Sequence, residues 1–171
     1  MDHQRFKQTA IHEAGHAVAH VRLGLDHDGA DIVPSEDTGA LGGAAGEGVS
    51  QVWSRQRAEP GVLAFCAGYA ALVAAGYAEG TAHLGTDDDF EQATNLIGYW
   101  DLDGTLADWK AKAVVLMSKP ENVGAVRKVA EHLHLHTKLD GEYVAGLVDV
   151  ADGETMEDEF AQYLHVRGRQ Q

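Results

Sequence analysis

From Gln4 to Leu23 the apolar residues Phe6, Ala10, Ile11, Ala14, Ala17, Val18 and Val21 recur at three- and four-residue steps. That period marks one face of a helix, and Gly24 reads as its stop. Residues Leu25 to Ser54 lose the period. Gly, Asp and Ser interrupt short runs at Ala30–Val33 and Val49–Val52, which predicts a hairpin or small sheet. Pro60 reads as the first-turn proline of a helix reaching about Ala78, whose Ala and Gly content lets neighbouring backbones approach closely. A loop over Glu79–Thr86 follows. Thr86 then reads as the N-cap of a helix running to Trp100, with Asp87, Asp88 and Asp89 in the first turn, where the helix dipole favours anions. Further helical patterns cover Thr105–Met117, Glu121–His134, Gly141–Val150 and Glu154–Leu164. The expected fold class is α+β, mainly α, as one domain over residues 1–171 with its β element near the start.

Composition narrows the function classes. The chain has 171 residues, 44% of them apolar, enough for a real core. Its 13 Lys and Arg against 27 Asp and Glu leave a formal net charge of −14. That balance argues against a nucleic-acid binder and against an anionic membrane surface. The most apolar stretch, Gly61 to Ala78, reads as a packed helix rather than a membrane span. The N-terminus lacks the pattern of a signal peptide, so a cytoplasmic location is expected. The lone Cys66 excludes an internal disulfide and reads as a small core residue.

The sharpest chemical feature is His12-Glu13-Ala14-Gly15-His16, an HExxH inside the first helix. Two histidines four apart project from one helical face and can share a zinc ion, while the glutamate beside them can reach a water in the open coordination position. Zinc lowers that water's pKa toward about 7, and a carboxylate can take its proton as it attacks a peptide carbonyl. A catalytic site of this kind needs a third ligand. The short-spaced option, a histidine six residues beyond His16, is absent because Arg22 stands there. A later carboxylate is then required, and Glu47, Glu59, Glu79, Asp87, Asp88, Asp89 and Glu91 are all candidates.

Thr9-Ala10-Ile11-His12-Glu13-Ala14-Gly15-His16-Ala17-Val18 resembles the zinc helix of the FtsH-type peptidases, the protease half of membrane-bound AAA+ proteases. Downstream, Ala67-Gly68-Tyr69-Ala70-Ala71 and Leu84-Gly85-Thr86-Asp87-Asp88-Asp89-Phe90-Glu91-Gln92-Ala93-Thr94 are similar to two further segments of that family, in order and spacing. Lys138-Leu139-Asp140-Gly141-Glu142 is similar to the start of its last helix. The resemblance implies a helical, zincin-like peptidase domain with His12, His16 and Asp89 as zinc ligands and Glu13 as the base. The chain departs from the family where Tyr69 replaces an arginine and Leu72 and Val73 replace paired glutamates. No GxxxxGK[ST] occurs either, and no membrane anchor is recognisable.

The expected function is therefore zinc-dependent cleavage of flexible or unfolded polypeptides, either without a motor or fed by a separate AAA+ ATPase. The alternative is a catalytically inactive, zinc-binding adaptor or regulatory module, which a fourth ligand such as His20 would favour. The family's hexameric rings leave a homo-oligomer open. His132, His134 and His136 alternate with leucine at the end of a helical run and read as structural or exposed rather than as an accessory metal site. His83, just before the aspartates, is a weaker candidate for hydrogen bonding to a reaction intermediate.

Overall fold

The computed structural model describes residues 3–34, 42–46 and 54–167. The first helix, α1 (His3–Leu23), closes as the pattern predicts. Gly24 takes a left-handed φ of 63°, its N–H donates to the Val21 carbonyl, and the Leu25 N–H donates to that of His20. This crossed pair satisfies carbonyls that would otherwise be orphaned at the helix end.

The chain then enters β1 (His27–Asp31), which pairs antiparallel with β2 (Gly43–Gly46) on one side and β3 (Lys138–Asp140) on the other. The strand runs earlier than the Ala30–Val33 reading, because Ile32 turns into the core while Val33 is already exposed. The expected run Val49–Val52 lies outside the described residues. The third strand comes from the far end of the chain, immediately before a helix start that the sequence did reveal.

The second helix, α2 (Arg55–Ala74), begins five residues before Pro60 and stops short of Ala78. Ser54 caps it by accepting from the Arg57 N–H at 3.3 Å. Pro60 thus sits in the second turn, and the Gln56 carbonyl it leaves without a donor belongs to an exposed residue, within reach of water. The loop read over Glu79–Thr86 contains a single helical turn, α3 (Glu79–Ala82). Beyond it come α4 (Asp87–Tyr99), α5 (Leu106–Met117), α6 (Pro120–His136), α7 (Gly141–Asp152) and α8 (Glu157–Arg167). The architecture is α+β and mainly α. No helix among the described residues is long and apolar enough to cross a membrane.

The centre of the fold is the antiparallel contact of α1 with α2, which α6 and α7 flank on the α1 side and α4 and α5 on the α2 side. Its apolar interior includes Ala10, Ala14, Ala17 and Val18 of α1 with Val62, Ala67, Ala70 and Ala71 of α2. A Cβ on Gly15 would lie 2.6 Å from the Ala71 Cβ and 2.7 Å from the Ala67 carbonyl, so the two backbones meet at a distance only glycine permits. Arg22 ties the end of this pair outward, donating from Nε to Asn122 at 2.8 Å and in a fork to the Asp152 carboxylate at 2.5 and 2.6 Å.

His20 faces the interior beside β1, its Nδ1 at 3.0 Å from the Asp26 carbonyl and its ring 6.0 Å from that of His27. Burial pushes its imidazole down to about 4 from the ordinary 6.5, against the Asp26 hydrogen bond and helped by His16 and His27. The unfolded chain therefore takes up the proton first. Stability is fully present above pH 6.5 and is lost as pH falls toward 4, by up to about 3 kcal/mol. Urea titrations between pH 7 and 4 should show this loss in the wild type, and His20→Gln should flatten the pH dependence.

Candidate metal centre

Two elements far apart in the chain bring three ligand atoms together. Four residues make a little over one helical turn, so His12 and His16 of α1 present their rings on the same side. Asp89 arrives from the first turn of α4. The Nε2 atoms of the two histidines are 3.0 Å apart, and each is 3.2 Å from Asp89 Oδ2. Among the described residues, these three form the group that could hold a metal ion. The histidine side chains are 12% and 9% exposed and Asp89 is 24% exposed, so the group is largely buried, with Asp89 its most exposed member.

The second helix builds the wall behind the rings. His16 Nδ1 lies 2.8 Å from the Ala64 carbonyl, to which it donates, leaving Nε2 with a free lone pair directed at the group. Gly68 faces both histidines. A Cβ there would sit 2.5 Å from His12 Cε1 and 2.5 Å from His16 Nε2. The sequence marks α2 as rich in small residues, but Gly68 could be assigned this role only once the helix across from it was known.

Charge inside the cluster is tightly coupled. Burial works against a protonated His16, yet the Asp89 carboxylate and its hydrogen bond outweigh that and raise the imidazole above its ordinary value. Burial likewise opposes ionisation of Asp89, but the histidines hold its carboxyl well below the usual range. Glu13 is 8% exposed, and its carboxyl is raised, with burial the largest cause and His12 and His16 partly offsetting it. Its side chain is covered by the approach to β2, where a Cβ on Gly42 would lie 3.1 Å from Glu13 Cγ.

The other sequence candidates fall elsewhere. Glu59, Glu79, Asp87, Asp88 and Glu91 are exposed and outside the group, while Glu47 is beyond the described residues. Thr86 is buried and stands at the N-cap position of α4, but its hydroxyl donates to the His83 carbonyl at 3.0 Å instead of capping the helix. His20 is not in the group. His83 packs its ring against Tyr69 and Phe90 at 4.8 and 5.3 Å and accepts from Lys110 Nζ at 2.8 Å. The three alternating histidines lie on α6 as a continuous helix. His132 and His136 face Tyr143 of α7, with His132 Nδ1 at 3.0 Å from its hydroxyl, while the His134 ring packs at a tilt against that of Phe6, 5.0 Å between centroids. Cys66 is fully buried, and its thiol is pushed up to about 12 by burial. Compared with known proteins, the chain matches no protein-family model and no curated protein.

Two outcomes are expected for metal binding. Since an ion must displace the proton that Asp89 helps His16 hold up to about pH 9, affinity should fall about tenfold per unit as pH is lowered below about 9; metal titrations at pH 6, 7 and 8 check this. Gly68→Ala should lower affinity by about tenfold or more, because the added methyl displaces both rings, with the helical circular dichroism retained.

Proposed function

We propose that the chain is a zinc-dependent endopeptidase of the FtsH type, acting on flexible or unfolded polypeptide. The observation that carries this reading is the meeting of His12, His16 and Asp89 within 3.2 Å beside a buried glutamate. A tetrahedral zinc ion with bonds of about 2.0–2.1 Å separates its ligand atoms by about 3.3 Å, close to the triangle found here. Two imidazoles and one carboxylate also form a donor set typical of catalytic zinc. Among the described residues three protein donors meet, rather than the four of a closed structural site, which favours an enzyme over a zinc-stabilised adaptor.

When bound, zinc would supply Lewis-acid polarisation of the scissile carbonyl and a water that ionises near neutral pH. The chain's own residues do the rest. Asp89 and the Ala64 carbonyl hold His16 in one orientation. Glu13, shielded from bulk water and with its carboxyl raised, takes the proton of the attacking water and returns it to the departing amide nitrogen. Among the described residues the strand β2 lies at the edge of the sheet, in the order β2-β1-β3, and its approach residue Gly42 packs close to Glu13. An extended peptide pairing with that edge would run past the base, which supports a polypeptide substrate.

The test is cleavage of casein by zinc-loaded protein with Glu13→Gln run in parallel. The variant should cleave at least about a hundredfold more slowly while still binding one zinc per chain. Equal cleavage by both proteins would remove Glu13 from the mechanism. Absence of cleavage by either, with zinc bound, would favour the adaptor reading.

A further inference from the structure

A pocket of about 570 Å³ opens on the other side of the α1–α2 pair, where the end of α5 and the length of α6 close it. None of His12, Glu13, His16 or Asp89 lines it. Its walls are apolar and mostly small, with Ile11 from α1, Ala71 and Ala74 from α2, Met117 from α5, and Val126 and Ala130 from α6. The α6 lining follows a single helical stripe from Val123 to His134, which makes the cavity an elongated groove of roughly 16 Å. Its volume is in the range that holds a small organic ligand.

The rim carries the second observation. In a chain of net charge −14, the groove is bordered by Lys7 and Arg127, with Glu131 as the acid between Arg127 and His134. Both cations are exposed, and among the described residues neither makes an ion pair or hydrogen bond. Elsewhere Arg22 is paired with Asp152, Lys128 with Glu157 and Arg167 with Asp140. Two unpaired cations over an apolar groove complement a ligand with a long apolar body and a single negative head. Glu131 beside them disfavours a doubly charged head such as a phosphate monoester.

We propose that this groove binds an unbranched aliphatic carboxylate of medium chain length, its alkyl chain between α1, α2 and α6 and its carboxylate at Lys7 and Arg127. The site is independent of the metal centre and of the peptidase reading.

Sodium decanoate, kept below the concentration at which it forms micelles, is titrated into the full chain by calorimetry, with decanol and decyltrimethylammonium as neutral and cationic counterparts. Decanoate should bind at one site per chain, at least about tenfold more tightly than decanol, and the cation should not bind. The double variant Lys7→Glu/Arg127→Glu should weaken decanoate by about tenfold or more at unchanged thermal midpoint. Ala74→Phe, which fills the groove without touching either charge, should abolish binding of decanoate and decanol alike. His12→Ala should bind decanoate as the wild type does. The proposal is overturned if decanoate does not bind, if decanol binds equally well, or if the charge-reversed protein keeps full affinity. Loss of binding in His12→Ala would also overturn it, by moving the carboxylate to the metal centre.

Discussion

The close approach of α1 and α2 sets the terms for everything else in this molecule. Two helices normally stand 8–10 Å apart with side chains between them. Here Gly15 leaves room only for the Ala71 methyl and the Ala67 backbone of α2, and Gly68 leaves room only for the rings of His12 and His16. The same proximity lets the Ala64 carbonyl reach the inner nitrogen of His16. A wider spacing would leave that imidazole without its orienting partner, and a larger residue at 68 would occupy the space of the rings. The small-residue face of α2 is thus both the packing surface and the back wall of the site.

The third member of the group depends on a different constraint. Asp89 belongs to a run of three aspartates, all of which suit the first turn of a helix. Helical geometry separates successive residues by about 100°, so only one of the three can turn toward α1. Asp87 and Asp88 face solvent, and Asp89 alone meets the histidines. Once there, its charge is stabilised by the imidazoles while burial acts against it, and the cluster becomes a set of groups whose protonation cannot be considered one at a time. Glu13 adds a second carboxylate to the same space. Its raised carboxyl reflects the absence of water around it more than any single neighbour.

Charge is also organised at larger scale. Acidic residues exceed basic ones two to one, and several of the cations tie helix ends together, as Arg22 does at Asp152 and Arg167 at Asp140. Lys110 lies over the Tyr69 and Phe90 rings at 4.4 and 4.7 Å, forming with His83 one flank beside Gly68 and Asp89. Lys7 and Arg127 belong to neither arrangement. They sit instead on the rim of the groove behind the site, on α1 and α6, two of the four helices that wall it.

Local signals determined a great deal. The three- and four-residue period of α1, the Schellman-type end at Gly24 and the starts of α4, α5 and α7 could all be read from the chain, because each depends on residues within a few positions of one another. The spacing of His12 and His16 is likewise a property of any helix. What distance in sequence separated, the tertiary structure decided. The pairing of β3 with β1 joins residues more than a hundred positions apart, and three residues carry too weak a pattern to announce a strand. The resemblance of the segment around Asp89 had already singled it out among seven carboxylates, but the role of Gly68 and the side on which each α6 histidine falls required knowing which helix lies opposite. Periodicity specifies a face, and only packing specifies what that face meets.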